Sequence, residues 1–275
     1  MTSTAPNRNC QYSVAATGKR SCRSVALLET VGLSKRIGAL RAVDAVDFRV
    51  DKGEFLSLVG SNGAGKTTLV NLISAQLMPD EGRILFEGRD ITAASVAERI
   101  RAGIARSFQL VNLFDGLSVL DNVALSIFTR DAKARRLWSL ADSDREVAAE
   151  ATDVLRLFGL DRKRSLLAGG LAQGERKLLD VAIAYALKPK ILFLDEPTSG
   201  VGTRDKAQIM DTVAAVVRGG HGTAVVIEHD MDIVFTYSDR VVVMHEGAML
   251  ADGAPAAIRA NPDVAAVLLG TAPAG

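Results

Sequence analysis

Residues 60–67 read GSNGAGKT, the stretch of the chain with the most specific chemistry. It fits the spacing G-x-x-x-x-G-K-[ST] and lies between an apolar run, EFLSLVG at 54–60, and a segment with helical spacing of Leu69, Leu72, Ile73 and Leu77. Glycine at 60, 63 and 65 lets successive backbone N–H groups turn inward on anionic oxygens, and the helix that follows adds the positive end of its dipole. Lys66 supplies a point charge for β and γ phosphates, and the Thr67 hydroxyl is suited to ligate Mg²⁺. The expected phosphate-binding residues are therefore Ser61, Asn62, Gly63, Ala64, Gly65, Lys66, Thr67 and Thr68.

A second chemical signal is ILFLDEP at 191–197, an apolar run that ends in Asp195 and Glu196. A strand built this way exposes two carboxylates at the carboxyl edge of a sheet, the edge at which a phosphate loop also opens. Beside such a loop, Asp195 is expected in the Mg²⁺ shell and Glu196 is expected to polarise an attacking water. Gln109, in RSFQLVNLF, and His229, in VVIEHD, also follow apolar strands or short connections, and on residue type alone each reads as an ordinary structural polar group. The other two histidines, His221 and His245, read as surface-loop residues.

The elements that must position these groups follow from hydropathy. Residues 25–50 alternate in apolar stretches closed by the turn-like DKGE at 51–54, as antiparallel strands do. Residues 82–91 read as a strand pair, 93–103 as a short helix, and 110–187 as predominantly helical. Four strand-like runs follow at 191–196, 223–230, 240–244 and 248–253. Strands alternating with helices indicate an α/β layered sheet, with the helical block as an insertion.

Composition narrows the class. In 275 residues, 33 Lys and Arg face 32 Asp and Glu, so the net charge of +1 argues against a nucleic-acid partner bound mainly by charge. Apolar residues at 48% supply an ordinary core. Both cysteines, Cys10 and Cys22, lie in the first 24 residues, which fits a reducing compartment and leaves no disulfide framework. No apolar run reaches the roughly 18 residues that a membrane span needs. Residues 1–24 lack an apolar signal core and are expected to be a flexible extension.

In this order the motifs resemble the ATP-binding subunit of ABC transporters, and LAQGERKLLDVAIAYAL at 171–187 adds the resemblance to that family's signature motif. The finer resemblance is to the ATPases of branched-chain amino acid importers. It is carried by GIARSFQLVNLFDGLSVLDNVAL (103–125), LAQGE, IEHDMDIVFTYSDRVVVMHEG (227–247) and IRANPDVAAVLLG (258–270). It implies an α/β P-loop NTPase with a RecA-like core, an N-terminal antiparallel β subdomain, an inserted α-helical subdomain at about 110–187 and a helical tail at about 254–270. One ATPase domain would span 25–270. It also implies ATP and Mg²⁺ as ligands, sandwiched between the phosphate loop of one subunit and the signature residues Ala172, Gln173 and Gly174 of a second, identical or paralogous, ATPase subunit. Glu196 becomes the general base, His229 the γ-phosphate switch and Gln109 the glutamine that reaches Mg²⁺ and water; Thr67, Gln109 and Asp195 form the metal set. The implied partners are transmembrane permease subunits, docked near Gln109–Asp115 with Phe114 as a contact, and indirectly a periplasmic or extracellular solute-binding protein. The implied place is the cytoplasmic face of the inner (plasma) membrane.

Three positions depart from that pattern. Ile37 stands where an aromatic residue stacks on adenine, which removes a term of ~1–3 kcal/mol and implies weaker, less discriminating nucleotide binding. Ala172 lacks the serine hydroxyl of the usual signature, and Gly202 replaces a polar residue of the loop at 199–202. Two other readings stay open: a nucleotide-gated adaptor, and a soluble ABC ATPase not coupled to transport.

Overall fold

The structure is a computed structural model, described over residues 26–107, 113–131, 145–219 and 222–269. The chain begins with β1 (Leu28–Ile37), β2 (Leu40–Val46), β3 (Arg49–Val50), β4 (Phe55–Gly60), α1 (Lys66–Ile73), β5 (Glu81–Phe86) and β6 (Arg89–Asp90). It continues with α2 (Val96–Ala102), β7 (Ile104–Arg106), α3 (Val119–Arg130), α4 (Arg145–Leu157) and α5 (Gln173–Ala186). The rest is β8 (Ile191–Asp195), α6 (Thr203–Gly219), β9 (Thr223–Ile227), α7 (Met231–Tyr237), β10 (Arg240–His245), β11 (Ala248–Gly253), α8 (Pro255–Arg259) and α9 (Pro262–Leu269).

Two sheets organise these elements. β2, β1, β5 and β6 pair in that order, with β3 also on β1, and every pairing is antiparallel. The second sheet runs β11-β10-β4-β9-β8-β7, parallel throughout except where β11 folds back on β10. β4, β8 and β9 are buried along their whole length, as parallel strands covered on both faces must be. Period-2 alternation splits their side chains. Leu56, Leu58, Phe193 and Val225 pack with α1 and the antiparallel sheet, whereas Phe55, Leu192, Leu194 and Val226 pack with the helices between β7 and β8. The carboxyl ends of β4, β7, β8 and β9 consequently share one edge, with α1 wedged between the two sheets.

The carboxyl end of α1 is held by an unusual cap. Arg99, fully buried on α2, donates to Leu72 O (2.6 Å), Ile73 O (2.7 Å), Thr92 O (2.8 Å) and Ala94 O (3.2 Å). A cation on the terminal carbonyls meets both their unpaired lone pairs and the negative end of the helix dipole.

α3, α4 and α5 bury Val123, Ile127, Ala151, Leu155, Leu179 and Ala182 in one cluster. Arg130 joins the three helices: its guanidinium donates to both oxygens of Glu150 (2.7 and 2.9 Å) and to Ala186 O (3.0 Å). Arg130 opens the basic stretch RDAKARRLW at 130–138, and its side chain is turned onto its neighbours; Lys133, Arg135, Arg136 and Trp138 lie outside the described residues. The Arg130 hydrogen bonds, with help from Lys188, hold the Glu150 carboxyl at about 2, below its ordinary 4.5, against the opposing effect of burial. Because the folded value is the lower one, this contact stabilises the fold above pH 4.5 and is lost as pH falls toward 2. Glu150→Gln is expected to lower the melting temperature at pH 7 by roughly 2–4 °C, with the gap to wild type closing as the pH is lowered through that window. Thermal melts from pH 7 to pH 3 check this; a gap constant across them contradicts it.

α8 and α9 place Ile258 and Val264 on Val59, Val241 and Val243 of the parallel sheet. Among the described residues no helix is long and apolar enough to cross a membrane.

Candidate nucleotide site

The loop from Gly60 to Lys66 is shaped by backbone pressing on backbone. A Cβ at Gly60 would lie 2.2 Å from Met244 O, and one at Gly65, whose φ is +98°, would lie 2.2 Å from Ala42 O. Only glycine fits at either position. The loop is pinned by Ala64 N–H to Ser61 O (3.1 Å) and by Gly247 N–H to Ala64 O (3.1 Å), and Gly65 opens α1. Lys66 is buried, with its ammonium donating to Gly60 O (2.8 Å) and Ser61 O (3.0 Å). Burial holds that ammonium below the ordinary lysine value, while the negative charges of Glu196 and Asp195 oppose the shift, which brings both acids into electrostatic range of the loop. Thr67 stands exposed in the first turn of α1.

Asp195 ends β8 with 2% of its surface exposed. Arg106, at the end of the adjacent β7, donates to its Oδ2 at 2.7 Å and also reaches Asn71 Oδ1 on α1. Asp195 Oδ1 is buried with no protein partner. The next residue, Glu196, takes a left-handed φ of +48°, anchored by its N–H on Ile227 O at 2.9 Å. Two residues past the end of β9, His229 brings Nε2 to 2.9 Å from Glu196 Oε1. An ammonium, a glycine-shaped loop opening a helix, one unpartnered carboxylate oxygen and a carboxylate–imidazole pair thus lie along a single sheet edge. That set can hold a polyphosphate and orient a water against it.

The ABC transporter family profile matches residues 43–199. The chain is 34% identical over 252 residues to the high-affinity branched-chain amino acid transport ATP-binding protein BraF of Pseudomonas aeruginosa, covering 90% of this chain and 98% of that one. It belongs to the ABC transporter family. Identity to the corresponding LivG protein of Escherichia coli K12 is 35% over 253 residues, again 90% of this chain and 98% of that protein. An ATP-binding cassette of an ABC transporter, solved in its ADP conformation, superposes with a TM-score of 0.78 at 30% identity, over 90% of this chain and 100% of that one. The chain is thus an ATPase with the α/β P-loop fold of ABC cassettes, and its nucleotide is ATP.

The remaining candidate residues of the ABC cassette share no hydrogen bond with the phosphate loop among the described residues. Ile37 closes β1 opposite Leu40 at the tip of a hairpin, 53% exposed. Ala172 and Gln173 are exposed and Gly174 half-buried at the start of α5, where Glu175 accepts from Ala172 N–H at 3.2 Å. Gln173 lies against Gly200, whose added Cβ would come 2.7 Å from Nε2, and Gly174 faces Val201, Asp205 and Ile209. None of the phosphate-loop hydrogen bonds among the described residues involves these three. Gln109 and His221 lie outside the described residues, as do Cys10, Cys22 and residues 1–24. His245 keeps the surface exposure expected of it, with 40% of its side chain accessible, but it is the last residue of β10 rather than part of a loop, and its Nδ1 is buried with no hydrogen-bond partner.

Three side chains of the ABC site escaped the motif reading: Arg106, Lys177 and Glu228. Arg106 carried a signal, a charge closing an apolar strand three residues before Gln109. Glu228 carried one too, as an acid that directly continues the apolar run into His229. Lys177 sits where the i, i+3, i+4 spacing of α5 calls for an apolar residue.

Proposed function

We propose that this chain is the ATP-hydrolysing subunit of an ABC importer for branched-chain amino acids, or for a related small polar, amide or acid solute. Two ATPase subunits, identical or paralogous, would dock on transmembrane permease subunits at the cytoplasmic face of the membrane. A solute-binding protein would deliver the cargo, and residues 25–270 would act as one ATPase domain. The observation that carries the reading is the His229–Glu196 pair at 2.9 Å next to buried Asp195, at the sheet edge where the loop that holds buried Lys66 also opens. Identities of 34–35% to branched-chain amino acid transport ATP-binding proteins support the choice of solute class.

In this reading the loop N–H groups and Lys66 bind the β and γ phosphates and stabilise the charge that grows as the β,γ bond breaks. Glu196 Oε1 accepts the proton of the attacking water, His229 holds that carboxylate and contacts the γ-phosphate, and Gln109 orients the water. The residues present suit Mg²⁺: Asp195 Oδ1 is an orphaned buried acceptor and Thr67 offers a hydroxyl, leaving the remaining positions to phosphate oxygens and water. Bound there, Mg²⁺ would neutralise phosphate charge. Ala172, Gln173 and Gly174 would close the partner's site from their exposed position at the head of α5.

The permease helix is assigned to a groove of about 240 Å³ lined by Phe114, Asn122, Leu125, Ile183 and Leu187. Phe114 is 61% exposed, and its backbone is locked by Asn122, which accepts from its N–H (2.9 Å) and donates to its carbonyl (3.2 Å). The test of the whole reading is labelled leucine uptake into proteoliposomes holding this chain, its permease and binding protein. ATP-dependent uptake is expected, and phosphate release that the permease never changes would sink it. At Ile37, substitution by Tyr restores a stacking face and should tighten ATP binding about tenfold, within the ~1–3 kcal/mol range of base stacking. Equilibrium titration with ATP measures it; an unchanged affinity would remove Ile37 from the nucleotide site.

A further inference from the structure

The loop Glu196–Ser199 is gripped from two sides by buried charges to which the motifs above assign no role. Lys177, 6% exposed on α5, donates from Nζ to Ser199 Oγ at 3.0 Å and to Glu196 O at 3.3 Å. Glu228, 4% exposed, accepts at Oε1 from the Thr198 hydroxyl (2.6 Å) and the Thr198 N–H (3.2 Å), and at Oε2 from His229 N–H (3.1 Å). The loop is thereby fixed at Glu196, Thr198 and Ser199, and the carboxylate that fixes it also fixes the backbone of His229.

Interior charges are poor packing material, because desolvation opposes them and a well-packed apolar side chain would serve stability as well. What they supply here is direction. A non-glycine residue at φ +48° persists only where its surroundings over-determine it, and the residue so held is Glu196. Lys177 stands one helical turn after Gln173, at the start of the helix that the signature residues open. One side chain thus links the amino-terminal part of α5 to the backbone of Glu196.

We propose that Lys177 and Glu228 are positioning residues that align Glu196 and His229 for attack by water, with Lys177 making that alignment depend on the position of α5. The inference rests on Glu196 serving as the base of an ATPase. It is tested in the full chain with Lys177→Met, Lys177→Arg and the isosteric Glu228→Gln, measuring phosphate release, the dissociation constant of Mg-ATP and the melting temperature of each.

Lys177→Met and Glu228→Gln are expected to lower kcat at least about tenfold with the Mg-ATP dissociation constant within threefold of wild type, since small misplacements of a reacting group act on the chemical step. Lys177→Arg should recover at least half of the wild-type kcat. Wild-type kcat in Lys177→Met and Glu228→Gln overturns the inference. So does a fall in kcat that tracks affinity and melting temperature together and that Arg does not rescue, because that is the behaviour of a structural residue. If Lys177→Met does not fold, Glu228→Gln carries the same expectation alone. No phosphate release by the wild-type chain, by contrast, is failure of the ATPase reading itself.

Discussion

Lys66→Met should weaken Mg-ATP binding at least a hundredfold and take phosphate release down with it. Methionine keeps the length of the stem, so the substitution removes the charge and leaves the packing of the buried side chain nearly intact. The ammonium donates to Gly60 O and Ser61 O, 2.8 and 3.0 Å away, which aims it across the mouth of the loop. Charge-assisted contacts to two phosphates are worth about 1.5–3 kcal/mol each, and a hundredfold loss needs ~2.8 kcal/mol. Burial already disfavours the charged form of Lys66, and the carboxylates of Glu196 and Asp195 oppose that effect. A phosphate placed beside it strengthens the charged form further. Calorimetric titration of both proteins with Mg-ATP reads the result directly, and affinities within threefold of each other would place the phosphates elsewhere.

Glu196→Gln separates binding from chemistry. Glutamine is isosteric, and the contacts that hold the left-handed residue run to its backbone: N–H to Ile227 O at 2.9 Å and carbonyl to Lys177 Nζ at 3.3 Å. The amide can still meet His229 Nε2, so the loop should keep its shape. What is lost is the carboxylate that accepts the proton of water, and general-base catalysis of this kind contributes roughly 10²–10⁴-fold. The expected variant binds Mg-ATP within threefold of wild type, turns over at least a hundredfold more slowly and accumulates the closed pair of ATPase subunits. Light scattering of the purified variant with and without Mg-ATP follows the last of these. Retained wild-type turnover would remove Glu196 from the role of base.

Much of this site could be read from spacing because its chemistry is local. The phosphate loop is eight consecutive residues, and the acids Asp195 and Glu196 are adjacent at the end of an apolar run. β8, β9 and β10 begin at the residues where their apolar runs begin, since buried parallel strands leave an uninterrupted hydrophobic signature. Helix ends were less legible. The helical spacing of 66–77 continues past Ile73, but α1 stops there, with Arg99 from 26 residues away capping its carbonyls.

The side chains that orient the site were hidden for the same reason. Arg106 and Asp195 are 89 positions apart, and Lys177 reaches a loop 19 to 22 positions away, so nothing in the linear pattern pairs them. A lysine on a helix reads as part of its solvated face even at a position whose spacing is apolar, and the packing of α5 against the Glu196–Ser199 loop shows that Lys177 points inward. For His245 the turn-like MHEG rightly suggested exposure but wrongly placed the residue in the loop, because β10 runs through to His245 before the turn at Glu246 and Gly247.

The most direct test of the central claim is the release of inorganic phosphate from ATP by the purified wild-type chain, with and without Mg²⁺, beside Glu196→Gln. The account predicts Mg²⁺-dependent release by the wild type and at least a hundredfold less by the variant. Equal release by the two proteins, or wild-type release that proceeds undiminished after Mg²⁺ is chelated, would contradict it.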